Sequence, residues 1–214
     1  MIRLITFEGG DGSGKTTQLK LLQSYLAGRG RACLVTQEPG ATTLGQTLRR
    51  VLVNSGQGEI TIHAELFLYL ADRAQHIREV IVPALKEGVL VLCDRFTDST
   101  LAYQGYGRGV DLLLLDRMNE LASEGVKPDL TLLLDCEPEV GLARAHRRAA
   151  VAPSGAAAAD RFENESLEFH RRVRHGFLKL ARSDPKRFEV LDSSAPERVI
   201  HDKIKAIVNR RLGS

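Results

Sequence analysis

Short apolar runs alternate along the chain with longer stretches in which apolar residues recur about every three to four positions. Most of the runs are continuously apolar, as expected for strands that helices cover on both faces. They predict strands at Arg3–Glu8, Ala32–Thr36, Val89–Asp94, Leu130–Asp135 and Phe188–Leu191. The periodic stretches predict helices at Thr16–Ala27, Leu44–Val53, Ala64–Lys86, Leu112–Ser123, Glu139–Arg148, Glu163–Arg182 and Pro196–Arg211. This alternation indicates an α/β fold with a mainly parallel sheet.

The chain length of 214 residues suits a single domain that spans positions 1–214. We expect Pro83 to kink the long third helix near its end. The segment Ala149–Ala159 differs from the rest, because it is small, nearly uncharged and contains both proline and glycine. We expect a mobile lid at about 144–161 that closes over an anionic substrate, because arginines flank this segment. The flanking arginines are Arg144, Arg147, Arg148 and Arg161.

Charge and cysteine usage narrow the choice of partners and compartment. A net charge of +3 is too small to indicate a nucleic-acid surface. We expect neither a membrane span nor a signal peptide, because no apolar run is long enough and the N-terminus reads as a strand. Cys33, Cys93 and Cys136 lie in or beside apolar runs without a CxxC pair, so we expect buried free thiols. A reducing compartment, the cytoplasm, is therefore favoured.

A phosphate-binding loop follows the first predicted strand and precedes the first predicted helix. It matches the pattern G-x-x-x-x-G-K-[ST] in the strand–loop–helix context that the motif requires. Its glycines let backbone N–H groups turn inward around a phosphate, and the helix N-terminus adds positive potential there. We expect Lys15 to reach the β- and γ-phosphates of ATP and the Thr16 hydroxyl to ligate Mg²⁺. The predicted nucleotide-binding residues are Gly9, Gly10, Asp11, Gly12, Ser13, Gly14, Lys15, Thr16 and Thr17.

Two apolar strands end in an aspartate, the Walker B pattern that places a carboxylate near the metal ion. They end at Asp94 and at Asp135. We prefer Asp94 because Arg95 follows it directly, and this pair resembles the D-R-[YFH] motif of thymidylate kinases. The resemblance implies that Arg95 contacts the acceptor phosphate.

Three further segments carry arginines and aromatic residues suited to a second nucleotide. The loop after the second strand reads TQEPG and is followed by Arg49. The third helix reads ELFLYLADRAQH, with Tyr69 and Arg73 four residues apart on one face. The third segment, DSTLAYQG, follows Asp94–Arg95.

These segments, in this order, resemble those of the thymidylate kinase family over essentially the whole chain. The resemblance implies a five-stranded sheet in the order 2-3-1-4-5, a homodimer, and transfer of the γ-phosphoryl group from ATP–Mg²⁺ to dTMP. It also implies that Tyr69 stacks on thymine, that Thr100 and Gln104 approach the base edge, and that Tyr103 packs against the deoxyribose. The implied substrate-binding residues are Glu38, Pro39, Arg49, Tyr69, Arg73, Arg95, Thr100, Tyr103 and Gln104.

Members of the family differ in where the catalytic arginine lies. Some members of the family place an arginine in the phosphate loop, whereas this chain has Asp11 there. The resemblance therefore implies that the lid supplies the charge, through Arg148 helped by Arg144, Arg147 or Arg161. The implied catalytic set is completed by Lys15, Asp94 and Arg95, with Thr16 and Asp94 as the metal ligands.

Two departures from the family pattern affect the acceptor pocket. Gln37 stands where an arginine is usual and Ala41 where a glycine is usual, so one charge is missing beside the pocket. A kinase for another nucleotide or nucleoside, or a nucleotide-dependent switch protein, remains an alternative. His76 is expected to be structural, and the loop Asp192–Pro196 to hold the adenine.

Overall fold

The structure is a computed structural model that describes residues 2–53, 59–150 and 161–213. Within these residues, five parallel strands form one sheet in the order β2-β3-β1-β4-β5, which confirms the predicted order. The strands are β1 (Leu4–Glu8), β2 (Cys33–Gln37), β3 (Leu90–Asp94), β4 (Leu130–Asp135) and β5 (Phe188–Asp192). The predicted lid lies outside the described residues between positions 151 and 160.

Helices connect successive strands and lie against the sheet. They are α1 (Lys15–Ala27), α2 (Thr43–Val53), α3 (Ile62–His76), α4 (Val82–Lys86), α5 (Thr97–Thr100), α6 (Leu112–Ala122), α7 (Pro138–Ala150), α8 (Leu167–Ser183) and α9 (Glu197–Leu212). Two π-helical segments, Ile77–Ile81 and Leu101–Gly107, and a 3₁₀ turn, Arg161–Asn164, complete the connections. No helix in the described part of the chain has the length and apolar character to span a membrane.

The central strands are covered on both faces, which explains their continuous apolar sequences. In β4, Leu132 and Leu134 pack in one cluster with side chains of α1 and α9. The residue between them, Leu133, faces the other way and packs with Phe169 and Phe177 of α8. Neighbouring side chains point to opposite faces of a strand, so both positions must be apolar.

The prediction of one long helix over Ala64–Lys86 is wrong. The α-helical hydrogen bonding of α3 stops at His76, and a π-helical segment, Ile77–Ile81, separates it from α4. Pro83 lies in the first turn of α4. Proline lacks an amide hydrogen and disfavours a regular α-helical turn before it, and the wider π turn accommodates this.

The predicted helix Glu163–Arg182 begins too early. Residues up to Asn164 form the separate 3₁₀ turn, and α8 begins at Leu167. Ser166 marks the boundary, because its side chain accepts a hydrogen bond of 3.2 Å from the amide of Phe169. Serine is a preferred N-cap residue, so Ser166 itself indicates a helix that begins at Leu167 rather than at Glu163.

The cysteines are free thiols, but only one of them is buried. Cys93 lies inside the sheet on β3, whereas Cys33 and Cys136 are half-buried. Cys33 lies on β2 at the edge of the sheet, and Cys136 follows the last residue of β4. The prediction from their apolar sequence neighbours was therefore right for the burial of Cys93 and wrong for Cys33 and Cys136.

Candidate active site

The phosphate-binding loop leaves β1 and enters α1 at the carboxyl edge of the sheet. Gly14 caps α1 with a left-handed φ of 94°, which glycine adopts without strain. Lys15 is buried, and its Nζ donates to the carbonyl oxygens of Gly9 at 3.0 Å and Gly10 at 2.7 Å. Burial and the nearby Arg95 guanidinium lower the pKa of Lys15 to about 8. The loop thus curls around the lysine that is expected to contact phosphate.

The tip of the loop packs against the backbone of α7. A Cβ atom on Gly12 would overlap the carbonyl oxygen of Gly141, and one on Gly141 would overlap the carbonyl oxygen of Asp11. Gly12 also has a φ of 68°. Glycine at both positions lets α7, the helix that leads to the predicted lid, touch the loop directly.

Thr16 and Asp94 bring a hydroxyl and a carboxylate together at the base of the loop. Thr16 Oγ1 donates to Asp94 Oδ2 at 2.6 Å. The rival aspartate, Asp135, instead accepts two hydrogen bonds from Arg174, at 2.7 and 3.0 Å. A hydroxyl and a carboxylate are hard oxygen donors, and Mg²⁺ at nucleotide sites needs few protein ligands besides phosphate and water. The residues at this position therefore fit Mg²⁺.

Arg95 spans the gap between the phosphate loop and the second half of the site. Its Nη1 donates to Gly9 O at 3.1 Å, and its Nη2 donates to Asp11 Oδ1 at 2.8 Å. The hydroxyl of Tyr103 donates to the other oxygen of Asp11 at 3.0 Å. Although burial opposes it, the charges of Arg95 and Lys15 hold the pKa of Asp11 below its usual value. The loop carboxylate is therefore an anion paired with Arg95.

A buried guanidinium, that of Arg73, organises the opposite wall. Arg73 is 2% exposed, and its Nε donates to Glu38 Oε2 at 2.8 Å. Its other donors reach Thr100 Oγ1 at 2.9 Å, Asn119 Oδ1 at 2.6 Å and the carbonyl oxygen of Phe96 at 3.1 Å. These bonds use four of the five N–H groups of a guanidinium. The head group is therefore fixed in place before any ligand binds.

The turn between β2 and α2 is held from both sides. The Glu38–Pro39 peptide bond is cis, and Arg49 Nη1 donates to the carbonyl oxygen of Pro39 at 2.9 Å. Asp72 Oδ1 accepts from the amide of Gly40 at 2.9 Å. His76 hydrogen-bonds Glu38 Oε1 through Nδ1 at 2.9 Å, in agreement with the structural role expected for it.

Aromatic side chains form the rim of this wall. Tyr69 and Tyr103 lie 6.3 and 5.4 Å from Phe162, measured between ring centroids. Gln104 donates from Nε2 to the buried carboxylate of Glu65 at 2.8 Å. This bond uses one of the two N–H donors of the Gln104 amide.

The four arginines of the predicted lid do not form one cluster. Arg148 is 69% exposed on its side chain and lies 3.3 Å from Glu163 Oε1. Arg144 donates to the carbonyl oxygen of Ser193 at 3.2 Å, in the loop expected to hold adenine. Arg147 donates to the carbonyl of Ala143 in its own helix. Arg161 is paired with Glu65 at 2.5 Å.

One cavity of about 630 Å³ joins the two halves of the site. Its walls contain most of the residues that the sequence singled out, from the phosphate loop through the acceptor segments to Arg148. Of the four lid arginines, Arg148 alone lines it within the described part of the chain. The lining residues relevant here are Asp11, Gly12, Lys15, Thr16, Thr17, Glu38, Pro39, Arg49, Tyr69, Arg73, Asp94, Arg95, Thr100, Tyr103, Gln104 and Arg148.

Comparison with known proteins identifies the family to which this site belongs. The family model described as thymidylate kinase matches residues 7–204. The chain is 50% identical to the thymidylate kinase of Desulfosudis oleivorans over 207 residues, which cover 96% of each chain. It is 52% identical to that of Citrifermentans bemidjiense over 210 residues, or 98% of this chain and 92% of the relative. The chain belongs to the thymidylate kinase family.

A solved structure supports the same assignment. The crystal structure of thymidylate kinase from Ehrlichia chaffeensis superposes with a TM-score of 0.76 at 32% identity. The match covers 97% of this chain and 98% of that chain. The five-stranded parallel fold implied by the resemblance is thereby confirmed.

One of the two departures from the thymidylate kinase pattern, Gln37, lies at the cavity, whereas Ala41 does not line it. Gln37 is exposed and lines the cavity beside Arg49. The Cβ of a side chain at Gly40 would lie 3.5 Å from Gln37 Nε2. Gln37 therefore leaves the cavity one guanidinium short of the family pattern, and Arg49 and Arg95 line the same cavity.

Several residues of the candidate site were not predicted from the sequence. Asn119 on α6 binds Arg73, Phe162 lines the cavity, and Gly141 supports the phosphate loop. Glu8, at the end of β1, is buried and accepts hydrogen bonds from the segment after Asp94. Each acts through a contact distant in sequence, and an isolated asparagine or glycine in a helix carries no motif that marks it.

Proposed function

We propose that this member of the thymidylate kinase family phosphorylates dTMP to dTDP by direct in-line transfer from ATP, within a single kinase domain that spans positions 1–214. One observation carries the proposal: a single cavity contains both the phosphate loop and the buried Arg73 wall, with Arg95 between them. Phosphoryl transfer needs positioned anions and positive charge rather than a covalent nucleophile.

ATP binds at the phosphate loop, from Gly9 to Thr17. Backbone amides and the N-terminus of α1 hold its phosphates, and Lys15 extends its ammonium group to the β- and γ-phosphates. The adenine lies near Asp192–Pro196, where the guanidinium of Arg144 is already hydrogen-bonded to Ser193.

Thr16 and Asp94 are the residues that would hold Mg²⁺. When bound, it neutralises charge on the transferred phosphate. The hydrogen bond between the two side chains keeps both oxygens directed to one point at the base of the loop.

dTMP binds against the opposite wall. The fifth N–H group of Arg73 is directed to the base, on whose face Tyr69 stacks, and base–aromatic stacking contributes about 1–3 kcal/mol. Thr100 and Gln104 approach the base edge, and Tyr103 packs against the deoxyribose. Arg95 and Arg49 contact the acceptor phosphate, while Glu38 and Pro39 form the turn to which Arg49 hydrogen-bonds.

Arg148 supplies positive charge to the transition state. It lines the cavity, its side chain is 69% exposed, and it would turn to a phosphate by giving up the 3.3 Å contact with Glu163 Oε1. Arg147 and Arg161 hydrogen-bond elsewhere, and Arg144 lies on the adenine side. Electrostatic stabilisation of this kind is a major term in catalysis.

A panel of acceptors tests the proposed activity. Purified protein with ATP and Mg²⁺ is assayed with dTMP, dUMP, CMP, AMP and thymidine by following ADP formation. We expect dTMP to give the highest kcat/KM, and preference for another acceptor would favour a different small-acceptor kinase. A switch protein instead predicts ATP hydrolysis without an acceptor and no saturable binding of dTMP.

The active form is proposed to be a cytoplasmic homodimer. Phe67 on α3 is 56% exposed, and Leu114 and Leu121 on α6, seven residues apart on one helix face, are 47% and 82% exposed. The helices α3 and α6 are neighbours, so their exposed apolar residues suit a self-complementary interface. Three free thiols are compatible with a reducing compartment.

A further inference from the structure

Arg95, the residue that spans the two halves of the site, has an unusual backbone conformation. Its φ is 70°, in the left-handed region that side chains other than glycine rarely adopt. Such a conformation is unfavourable and persists only where surrounding contacts determine it. The amide of Arg95 donates to Phe7 O at 3.0 Å, which fixes one side of the residue. Further contacts must hold the residues that follow Arg95, from Phe96 to Ser99.

Two of those contacts come from one carboxyl group, that of Glu8, beside the hydrogen bond from Arg73 to the Phe96 carbonyl. The amide of Phe96 donates to Glu8 Oε1 at 2.8 Å. The hydroxyl of Ser99 donates to Glu8 Oε2 at 2.6 Å, and the same hydroxyl accepts from Arg95 Nη1 at 3.2 Å. Glu8 therefore holds the residue after Arg95 and, through Ser99, one end of its guanidinium.

Burial of the Glu8 carboxyl group at the end of β1 costs free energy, because the group loses its contact with water. Its exposed fraction is 0%, and burial together with the charge of Asp98 raises the pKa of Glu8 to about 8. An apolar residue would fill the same position without this desolvation cost. A buried polar group that has two specific partners fixes a particular geometry instead.

We propose that Glu8 is a positioning residue, which fixes the backbone and guanidinium of Arg95 so that this arginine grips the phosphate of the acceptor nucleotide. Glu8 itself touches neither substrate. The inference rests on the proposed function, because it assumes that Arg95 faces the acceptor phosphate.

The experiment compares dTMP with thymidine, which has the same base and sugar but no phosphate. Glu8→Leu removes both hydrogen bonds and replaces the carboxyl group with an apolar side chain of similar size. We expect dTMP to bind about tenfold to hundredfold more weakly, while thymidine binding stays within about twofold. ATP binding, which depends on the loop directly after Glu8, should also be retained. Glu8→Gln, which keeps a polar atom beside each partner, should restore most of the dTMP affinity.

A matched control lies two residues earlier on the same strand. Thr6 and Thr131 hydrogen-bond through their hydroxyls at 2.9 Å, also in the core. Thr6→Val removes a buried hydrogen bond without touching the Arg95 segment. It should lower thermal stability and leave the ratio of dTMP to thymidine affinity unchanged.

A double-mutant cycle with Arg95→Ala separates positioning from general damage. If Glu8 acts through Arg95, Glu8→Leu should change dTMP affinity by less than about threefold in the Arg95→Ala background. An equal loss in both backgrounds, or equal losses for dTMP, thymidine and ATP, would overturn the proposal. If Glu8→Leu does not fold, Ser99→Ala breaks the second contact alone and is judged by the same ratio. Failure of the wild type to bind dTMP would refute the proposed function instead.

Discussion

The hydroxyl of Thr16 and the carboxylate of Asp94 meet at 2.6 Å, although 78 residues separate them in sequence. Parallel pairing of β1 with β3, in which Phe7 lies opposite Asp94, brings the two together. Asp135 also ends a strand beside β1, but its carboxylate is occupied by Arg174. The two aspartates therefore have different predicted roles despite similar sequence contexts.

Asp94→Asn should affect the use of Mg²⁺, because it removes the carboxylate proposed as a metal ligand. We expect kcat to fall by about hundredfold or more and the Mg²⁺ concentration for half-maximal rate to rise. Mg²⁺ titrations of the initial rate at saturating ATP and dTMP measure both effects.

Asp135→Asn serves as the matched control for Asp94. It weakens the pair with Arg174, so a modest loss of thermal stability is expected with an unchanged Mg²⁺ dependence. A shift of the Mg²⁺ requirement in Asp135→Asn and none in Asp94→Asn would reverse the assignment.

The pH dependence of ATP use should reveal the buried state of Lys15. Its pKa is lowered to about 8, so the free enzyme loses this positive charge as pH rises through that value. We expect kcat/KM for ATP to decline above about pH 8, since this parameter reports groups of the free enzyme. An ATP profile that is level to pH 9.5 would contradict the assignment.

The sheet and the phosphate loop were predictable because their signals are local. The first strand is followed directly by the glycine loop and the lysine–threonine pair. The local sequence of each is enough to predict its backbone conformation. The acceptor segments were recognisable by resemblance for the same reason, since ADRAQH and AYQG are contiguous strings.

The missing parts depend on contacts between distant segments. Glu8 reads as the polar end of a strand, and its partners, Phe96 and Ser99, are about 90 residues away. The π-helical segment at Ile77–Ile81 has the same apolar periodicity as a continuous helix, so the sequence pattern did not reveal it. The lid arginines were grouped by sequence proximity, but helix geometry directs Arg147 and Arg148 to different surroundings.

Arg148 and Arg147 form a natural pair for testing the source of catalytic charge. Arg148→Ala should lower kcat by about tenfold to thousandfold while changing the dTMP dissociation constant by much less. Such a split is the signature of an interaction made mainly in the transition state. Arg147→Ala, one residue away and hydrogen-bonded to its own helix, should have a small effect on kcat. Equal loss of affinity and rate in Arg148→Ala would remove the assignment.

The proposed dimer should depend on the exposed apolar residues of α3 and α6. Leu121→Lys places a charge on that surface, and we expect sedimentation velocity to show a monomer. Val190→Lys is the control, because Val190 is also 50% exposed but lies on β5 at the far edge of the sheet. Dissociation by Val190→Lys and not by Leu121→Lys would place the interface elsewhere.

Asp72 should make the stability of the protein depend on pH. It is 1% exposed, its Oδ2 has no hydrogen-bond partner among the described residues, and burial with the nearby Glu38 raises its pKa to about 6. The folded state therefore holds a proton that the unfolded state releases between about pH 4 and 6, so stability falls as pH rises through this window.

The Asp72→Asn variant cannot ionise at this position, so it should not lose stability over this pH range. Relative to wild type, its free energy of unfolding should rise by roughly 2–3 kcal/mol between pH 4 and 7, measured by urea denaturation. Asp116→Asn, at an exposed position of α6, should show no such change, and a constant difference for Asp72→Asn across the range would mean that its carboxyl titrates normally.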